Sequence, residues 1–552
     1  MESRTASESD SEMMSVMSTP QPKPLNVSDD EDTVWGRRAC WLIGGLLLVR
    51  VIFAAIVPLD LCNDEAYYWD WSRQLDWGYF SKPPMVAWLI GLSTFLLGDH
   101  SFGVRLPAAL LISFSMIPIY LLGKQMFGRR VGFWAVTAAS LTPLSVAGGL
   151  LMTIDPPLMF CWACTLFFVW KMLEQERHSW RWMAAATVTC GLGLLSKQTM
   201  IAAIPLTWLF VMLSPTDRRQ LKRPMLWLWT MGSLLFLTPV IIWNSQHEWI
   251  TFQHTSEHFE THSFNLSRQV LSFLEYCVCQ FGVVTPLVFV VPWLAIFGVH
   301  QAIKTADRRV LFLGSLSLLP LMGVLALSMT RQVQPNWPAP FHIASSILIT
   351  AWAFGHVPIA ERIRWMRSWY KPGVVCGACG AILVFLMPFL NPVVGLQGSN
   401  VDVTVRLLGW QNLGDEMSQA IAELNLKTPP VLVTTCKWHP IGAMAFYTAG
   451  QPRIHRWSTS EVVSSQYDIW QKPDFQKVEE LVVITPNRAK VPKGLIQADQ
   501  TVKLCEHITI DLGNSRERQF SLWHVSRQSR NSSQSSPPRE IAIEESTSTV
   551  TR

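Results

Sequence analysis

Residues 103–151 read GVRLPAALLISFSMIPIYLLGKQMFGRRVGFWAVTAASLTPLSVAGGLL. Two apolar stretches of about twenty residues flank a short joint, GKQMFGRR, that carries the cations Lys124, Arg129 and Arg130. At about 1.5 Å of rise per residue, a helix of that length matches the roughly 30 Å hydrocarbon core of a bilayer. The pattern recurs along the chain. Of its 552 residues only 15% are charged, against about 25% in ordinary soluble proteins, and those charges gather between apolar runs. A conventional soluble protein and a mostly disordered one are both excluded. The net charge of +5 is not concentrated into a basic face, so nucleic acid is not an expected partner.

The apolar runs predict about 11 spanning helices, near 39–58, 103–123, 131–151, 156–172, 182–198, 199–214, 225–243, 277–299, 310–329, 337–356 and 372–391. The run 83–98 is short and opens on Pro83-Pro84, which predicts an interfacial or re-entrant helix. With that run not crossing, one set of connecting segments holds 19 Lys and Arg, from Arg37 to Lys371. The other set holds six: Arg73, Lys82, Arg105, Lys197, Arg268 and Arg331. The positive-inside rule then predicts a cytoplasmic N-terminus and an outer C-terminal part. The expected fold is thus a polytopic α-helical membrane protein with a small C-terminal α/β extracytoplasmic domain. Its divisions are a disordered tail over 1–35, a transmembrane domain over 36–396, an α/β domain over 397–526 and a Ser-rich tail over 527–552. In the outer domain VLVTT (431–435) and EELVVIT (479–485) read as buried strands. NLGDEMSQAIAEL (412–424) reads as an amphipathic helix with Leu413, Met417, Ile421 and Leu424 on one face.

The same topology collects unusual polar residues on the outer side. Asp64 and Glu65 follow the first span within an aromatic stretch, LCNDEAYYWDW. An acidic pair at a membrane edge needs a partner or a task, although a solvated loop with an aromatic belt accounts for the composition equally well. Asp155 sits in the short turn TIDPPLM, Lys197 ends GLGLLSK, Lys82 precedes the double proline and Arg105 opens the second span. A helix cap explains Asp155, and snorkelling explains each cation. Taken together, carboxylates and cations on one face suit a lipid-linked phosphate with a general base beside it. His254, His258 and His262 share a helical face with Glu257 and Glu260 nearby. A divalent metal and a plain polar loop both fit that pattern. Cys161/Cys164 and Cys376/Cys379 have C-x-x-C spacing inside apolar runs and read as packing residues. Cys436 and Cys505 are candidates for a disulfide in an oxidising compartment.

NDEAYYW (63–69), YFSKPPMVAWLIGLSTFLLGDHSFGVRLPAALL (79–111), MFGRRVGFW (126–134), TIDPPLM (153–159) and GLGLLSKQ (191–198) resemble the GT-C class of membrane glycosyltransferases. The branch is that of the dolichyl-phosphate-mannose protein mannosyltransferases and the lipid A aminoarabinose transferases. WNSQHEWITF (243–252), QPNWPAP (334–340), AFYTAGQP (445–452) and SQYDIW (465–470) are similar to bacterial members. The resemblance implies a GT-C fold in a bacterial inner membrane. It implies transfer of a sugar from a polyprenyl-phosphate carrier to a protein, lipid or glycan acceptor. Asp64 is implied as the base, with Glu65 and Asp155 as further site acids. Lys82, Arg105 and Lys197 are implied to meet the carrier phosphate, and Glu257-His258 to hold a metal. The chain departs from the pattern at Ser81, where those enzymes carry an acid. A transporter or flippase, and a non-catalytic envelope assembly protein, are the competing classes. Against the first, no internal repeat is visible and the polar cluster lies at one face, not the midplane.

Overall fold

A computed structural model of the chain describes residues 29–174, 179–257, 266–357, 361–460 and 462–527. Among the described residues, seven helices are long and apolar enough to cross a membrane: Thr33–Ile56, Ser101–Phe127, Asp155–Glu174, Pro224–Gln246, Pro286–Thr305, Arg308–Ser328 and Ile363–Val393. An eighth is added if the pair Arg129–Ser140 and Pro143–Leu150 counts as one broken span.

Several expected boundaries move, each for a local reason. The run 131–151 bends by 69°. Pro143 has no N–H to continue the ladder, and Thr142 restarts the helix by accepting from the Ser145 amide at 3.1 Å. The run 277–299 is divided between Leu266–Val283 and the segment that starts at Pro286. There Thr285 accepts from the Leu287 amide at 3.2 Å. The expected spans at 182–198, 199–214 and 337–356 are Ser179–Leu194, Gln198–Leu213 and Phe341–Ala353. None reaches about 27 Å, so eleven full-length crossings are not present among the described residues. The run 83–98 is the 13-residue helix Met85–Leu97, about 20 Å long, too short to cross unaided. The first helix starts at Asp29, inside the stretch expected to be disordered. Residues 1–28 and 528–552 lie outside the described residues.

The C-terminal part holds a five-stranded mixed sheet: β1 Val431–Thr434, β2 Ile454–Arg456, β3 Glu480–Pro486, β4 Gln500–Asp511 and β5 Glu517–Arg527, in the order β2-β1-β3-β5-β4. β1 pairs in parallel with β2 and β3, while β5 runs antiparallel to both β3 and β4. The apolar LVVI run of β3 is buried throughout, as a central strand covered on both faces requires. Cys436 follows β1 and Cys505 lies on β4. Three strand spacings of about 4.8 Å separate those strands, beyond the roughly 7 Å reach of a disulfide, and both cysteines are free.

One core joins this sheet to the segment 61–86 that follows the first membrane helix. Leu61, Ala66, Tyr67, Trp69, Trp71, Tyr79 and Val86 pack with Leu413, Met417, Ile441, Met444 and Val482. Tyr67, Tyr68, Trp69, Trp71 and Tyr79 are each at most 5% exposed, so the aromatic stretch is core and not a membrane-edge belt. Each fully buried aromatic contributes roughly 1.5–3 kcal/mol. Helix Ile441–Tyr447 lies directly on helix Asn63–Ser72. A Cβ at Gly442 would stand 2.6 Å from the Ala66 backbone, so only glycine permits this approach.

Candidate active site

The Asp64-Glu65 pair is split into two roles by one residue of helical rotation. Cys62 and Glu65 form a reciprocal cap at the start of helix Asn63–Ser72, which turns Glu65 inward and leaves Asp64 exposed. The Glu65 carboxylate accepts from the amides of Cys62 and Met152, both at 3.0 Å. It also accepts from Arg105 Nε and Nη2, both at 3.2 Å. Arg105 also donates to the carbonyls of Leu59 at 2.9 Å and Asp60 at 2.6 Å. Both side chains of the pair are 0% exposed. Arg105, a candidate for the carrier phosphate, thus makes four hydrogen bonds within the protein that tie the first loop and the 151–153 turn to helix Ser101–Phe127.

Asp64, Lys82, Asp155 and Lys197 do come together. Asp155 begins helix Asp155–Glu174, and both of its oxygens are taken by side chains. Lys197 Nζ meets Oδ1 at 2.7 Å and Asn336 Nδ2 donates to Oδ2 at 2.6 Å. Lys197 is thus an ion-pair partner at the end of helix Ser179–Leu194, not a snorkelling cation. Lys82 is near enough to the two acids and Lys197 to feel their charges. The surrounding protein lowers its ammonium pKa, Lys197 adds to that, and Asp64 and Asp155 oppose it. Asp64 touches solvent yet is closely surrounded, which raises its carboxyl pKa. Lys82 and His439 pull it back, and Glu65 and Asp155 add to the rise. Tyr68 is held above the usual phenol range by burial first and then by the charges of Asp64 and Asp155.

The loop that carries Lys82 is fixed from three directions. Gln466 of the C-terminal part accepts from the Phe80 amide at 2.7 Å. Thr251 donates to the Tyr79 carbonyl at 2.9 Å. Trp243 donates to Asp76 Oδ2 at 2.7 Å. Three residues of this cluster carried no assignment from the sequence. Asn336 lay within QPNWPAP, Tyr68 within the aromatic stretch and His439 in the C-terminal part; only folding brings them to the acids.

Asp155 and Asn336 also line a cavity of about 260 Å³. Its walls are membrane helices, with Ile112, Met116, Leu144, Met159 and Ile343 among the lining residues. The bent pair Arg129–Ser140 and Pro143–Leu150 supplies one side of it, through Ala138, Ser145 and Gly148. Of the metal candidates, Glu257 ends helix Ile250–Glu257, while His258 and His262 lie outside the described residues. His254 is in ring contact with Phe80, centroids 4.9 Å apart. Among the described residues no three His, Cys, Asp or Glu side chains are grouped to hold a metal ion.

The described residues thus place an apolar cavity among membrane helices, with Asp155 in its lining and the C-terminal sheet packed on the first loop. A family profile described as dolichyl-phosphate-mannose-protein mannosyltransferase matches residues 81–243. The crystal structure of ArnT from Cupriavidus metallidurans bound to undecaprenyl phosphate superposes with a TM-score of 0.56 at 16% identity, covering 88% of this chain and 97% of that one. The chain is similar to the lipid A galacturonosyltransferase RgtD of Rhizobium johnstonii, 27% identical over 317 residues. That match takes in 56% of this chain and 64% of the relative, less than two thirds of its length. The undecaprenyl phosphate-alpha-4-amino-4-deoxy-L-arabinose arabinosyl transferase of Pectobacterium atrosepticum is 25% identical over 403 residues, 66% of this chain and 69% of the relative.

Proposed function

We propose that this protein transfers a sugar from a polyprenyl-phosphate carrier to an acceptor hydroxyl at the outer face of a bacterial inner membrane. One observation carries the reading: Asp155, paired with Lys197 at 2.7 Å, lines the apolar cavity among the membrane helices. A molecule with a hydrocarbon tail and an anionic head matches that lining. The relatives' names, which refer to lipid A and to undecaprenyl phosphate, support a lipid acceptor and an undecaprenyl carrier.

The chemistry needs little beyond what the cluster holds. A phosphate is already a good leaving group, so a general acid is dispensable. Within the cluster Asp64 is the exposed carboxylate, with no hydrogen-bonded partner among the described residues, and it is assigned as the base that takes the acceptor proton. Lys82 and Lys197 face the charge that grows on the departing phosphate oxygen. Asp155 holds Lys197 and, with Asn336, lines the cavity. Glu65 and Arg105 act only by keeping the loop in place. Attack opposite the leaving group inverts the anomeric carbon.

Blocking the cavity tests this directly. A Cβ at Gly148 would make only ordinary contact, 3.5 Å, with Ile112, so the ring of Gly148→Phe is accommodated in the cavity itself. In vesicles with radiolabelled undecaprenyl-phosphate sugar, this variant is expected to stay folded and to lose carrier binding by at least about tenfold, roughly 1.4 kcal/mol. Unchanged binding would place the carrier elsewhere.

A further inference from the structure

Arg50 is a charge inside the membrane domain that the proposed reaction does not use. It lies six residues before Ile56, the end of helix Thr33–Ile56, and so about 9 Å along the axis from that end. Its side chain does not reach back toward water, since it is 2% exposed. It crosses instead to two other helices. Nη1 donates to Ser113 Oγ at 3.0 Å on helix Ser101–Phe127, and Nη2 donates to Ser145 Oγ at 2.8 Å on helix Pro143–Leu150. Gly149 makes the room, because a Cβ there would stand 2.8 Å from both Cδ and Nε of Arg50. Both partners are hydroxyls, and among the described residues Arg50 forms no ion pair. A guanidinium is not discharged by burial, so a full positive charge sits in a low-dielectric surround. Such a charge is costly unless it has an anion to meet. The two hydroxyl contacts do not account for it, as a neutral amide would supply them.

The cluster has donors to spare and is short of acceptors. The Arg50 Nε–H is buried without a partner among the described residues. A hydroxyl oxygen that accepts from a guanidinium keeps its own hydrogen to give. Ser115 gives its hydroxyl to the Ile112 carbonyl at 2.7 Å, a common outlet for a serine inside a helix. The Ser113 and Ser145 hydroxyls donate to no described atom. Ser145 lines the cavity that Asp155 and Asn336 also line, and Arg50 stands behind it at hydrogen-bond distance. The charge balance points the same way. Asp155 is the one Asp, Glu, Lys or Arg among the lining residues, and Lys197 at 2.7 Å cancels it. Arg50 is then the unbalanced charge against the cavity wall. Spare donors, a positive charge and apolar walls are complemented by an anion with several acceptor oxygens on a hydrocarbon chain. A lipid phosphate is that group.

We propose that Ser145 and Arg50 form an anion anchor in the cavity wall: the Ser145 hydroxyl donates to a phosphate oxygen of polyprenyl phosphate, and Arg50 holds and polarises that hydroxyl from behind. This rests on the reading of the cavity as the carrier's. Ser145 touches the ligand, while Arg50 is a positioning residue that acts through Ser145 and through its charge. No bond is made or broken at the anchor. Its work is selection, because it favours the phosphorylated carrier over uncharged polyprenol, whose chain is the same and whose head lacks the charge. Apolar lining alone cannot tell the two apart by charge, whereas a charge-assisted donor in a low-dielectric wall can.

The experiment uses the full chain in phosphatidylcholine vesicles. Labelled undecaprenyl phosphate is competed with unlabelled undecaprenyl phosphate, undecaprenol or phosphatidylglycerol. The proteins are the wild type, Ser145→Ala, Arg50→Met, Arg50→Lys and Gly148→Phe, with folding checked by thermal melts. Ser145→Ala and Arg50→Met are expected to cut the preference for undecaprenyl phosphate over undecaprenol by about tenfold or more, the scale of a hydrogen bond to a charged group. The loss falls on the phosphate alone, with undecaprenol affinity unchanged, and Arg50→Lys recovers part of it. A residue that merely tied the helices together would weaken both lipids equally. If Arg50→Met does not fold, Ser145→Ala still decides, since it removes one oxygen and leaves the contact with Ser113. An unchanged preference in folded Ser145→Ala overturns the anchor. Phosphatidylglycerol that displaces the label as well as the unlabelled carrier does overturns its assignment to polyprenyl phosphate. Gly148→Phe separates the two readings. Binding lost there while Ser145→Ala keeps the wild-type preference sinks the anchor alone; binding kept in Gly148→Phe sinks the cavity reading and the anchor with it.

Discussion

The sharpest consequence of the geometry concerns Arg105, which the sequence motif points toward the carrier phosphate and the fold turns away from it. Arg105→Met keeps the length of the side chain and removes the charge. Glu65 would then remain 0% exposed with only the Cys62 and Met152 amides as donors. Removing one partner of such a pair costs about 3–5 kcal/mol, and the carbonyls of Leu59 and Asp60 lose their donors as well. The double change Arg105→Met with Glu65→Gln removes the orphaned charge and should recover part of that loss. Lys82→Met, at a side chain with no hydrogen bond or ion pair among the described residues, should stay within about 0.5 kcal/mol of the wild type. Thermal unfolding of the purified protein in detergent, followed by cysteine reactivity, ranks the variants. The expected order is Arg105→Met lowest by several degrees, the double variant intermediate and Lys82→Met at the wild-type temperature. An Arg105→Met protein that melts like the wild type but no longer binds undecaprenyl phosphate would refute the structural assignment and return Arg105 to the phosphate.

Further expectations follow from other contacts. Lys197→Met and Asn336→Leu each strip one oxygen of Asp155. Each should weaken carrier binding at least about tenfold, roughly 1.4 kcal/mol, measured by competition with labelled undecaprenyl phosphate. Gly442→Ala forces a methyl against the Ala66 backbone and should cost about 1–3 kcal/mol. Limited proteolysis would show it as faster release of the C-terminal part. Asp402, just after the last membrane helix, is raised by burial but held lower overall by the Thr404 hydroxyl, the Gly398 and Thr404 amides and Asn391. A carboxyl depressed in the folded state stabilises above its unfolded pKa, near 3.9, and that stability is lost as pH falls through the folded value. Asp402→Asn should therefore flatten the acid side of a melting-temperature profile below about pH 4 and leave the neutral side displaced but parallel.

Composition and apolar run length were enough to read a multi-span helical membrane protein, because hydrocarbon thickness fixes the length of a span. The same criterion is blind to breaks. Thr142-Pro143 and Thr285-Pro286 stop helices through backbone hydrogen bonding without lowering the hydropathy of the run, so both segments read as continuous. In the C-terminal part, β1, β3 and helix Trp410–Glu423 were legible from the apolar pattern. The hairpin of β4 and β5 was not read: β4 is an edge strand with most of its residues exposed, and its alternation of Val502, Leu504, Ile508 and Ile510 is broken by the irregularity between Leu504 and Glu506. At the site, Asp64, Lys82, Asp155 and Lys197 were found as candidates because charge is rare beside a membrane span. The division of labour within Asp64-Glu65 was hidden, as it depends on a cap at Cys62 and a partner forty residues away. Asn336 and His439 are ordinary in their own segments and acquire meaning only from the acids they meet.

The most direct test of the whole account separates binding from turnover at Asp64. Wild type and Asp64→Asn are compared in vesicles for undecaprenyl-phosphate affinity and for release of free undecaprenyl phosphate from the labelled sugar donor with a membrane extract. The account predicts equal melting temperatures, carrier affinity equal within about threefold, less than 1 kcal/mol, and phosphate release in the wild type alone. Release by Asp64→Asn at the wild-type rate would contradict it.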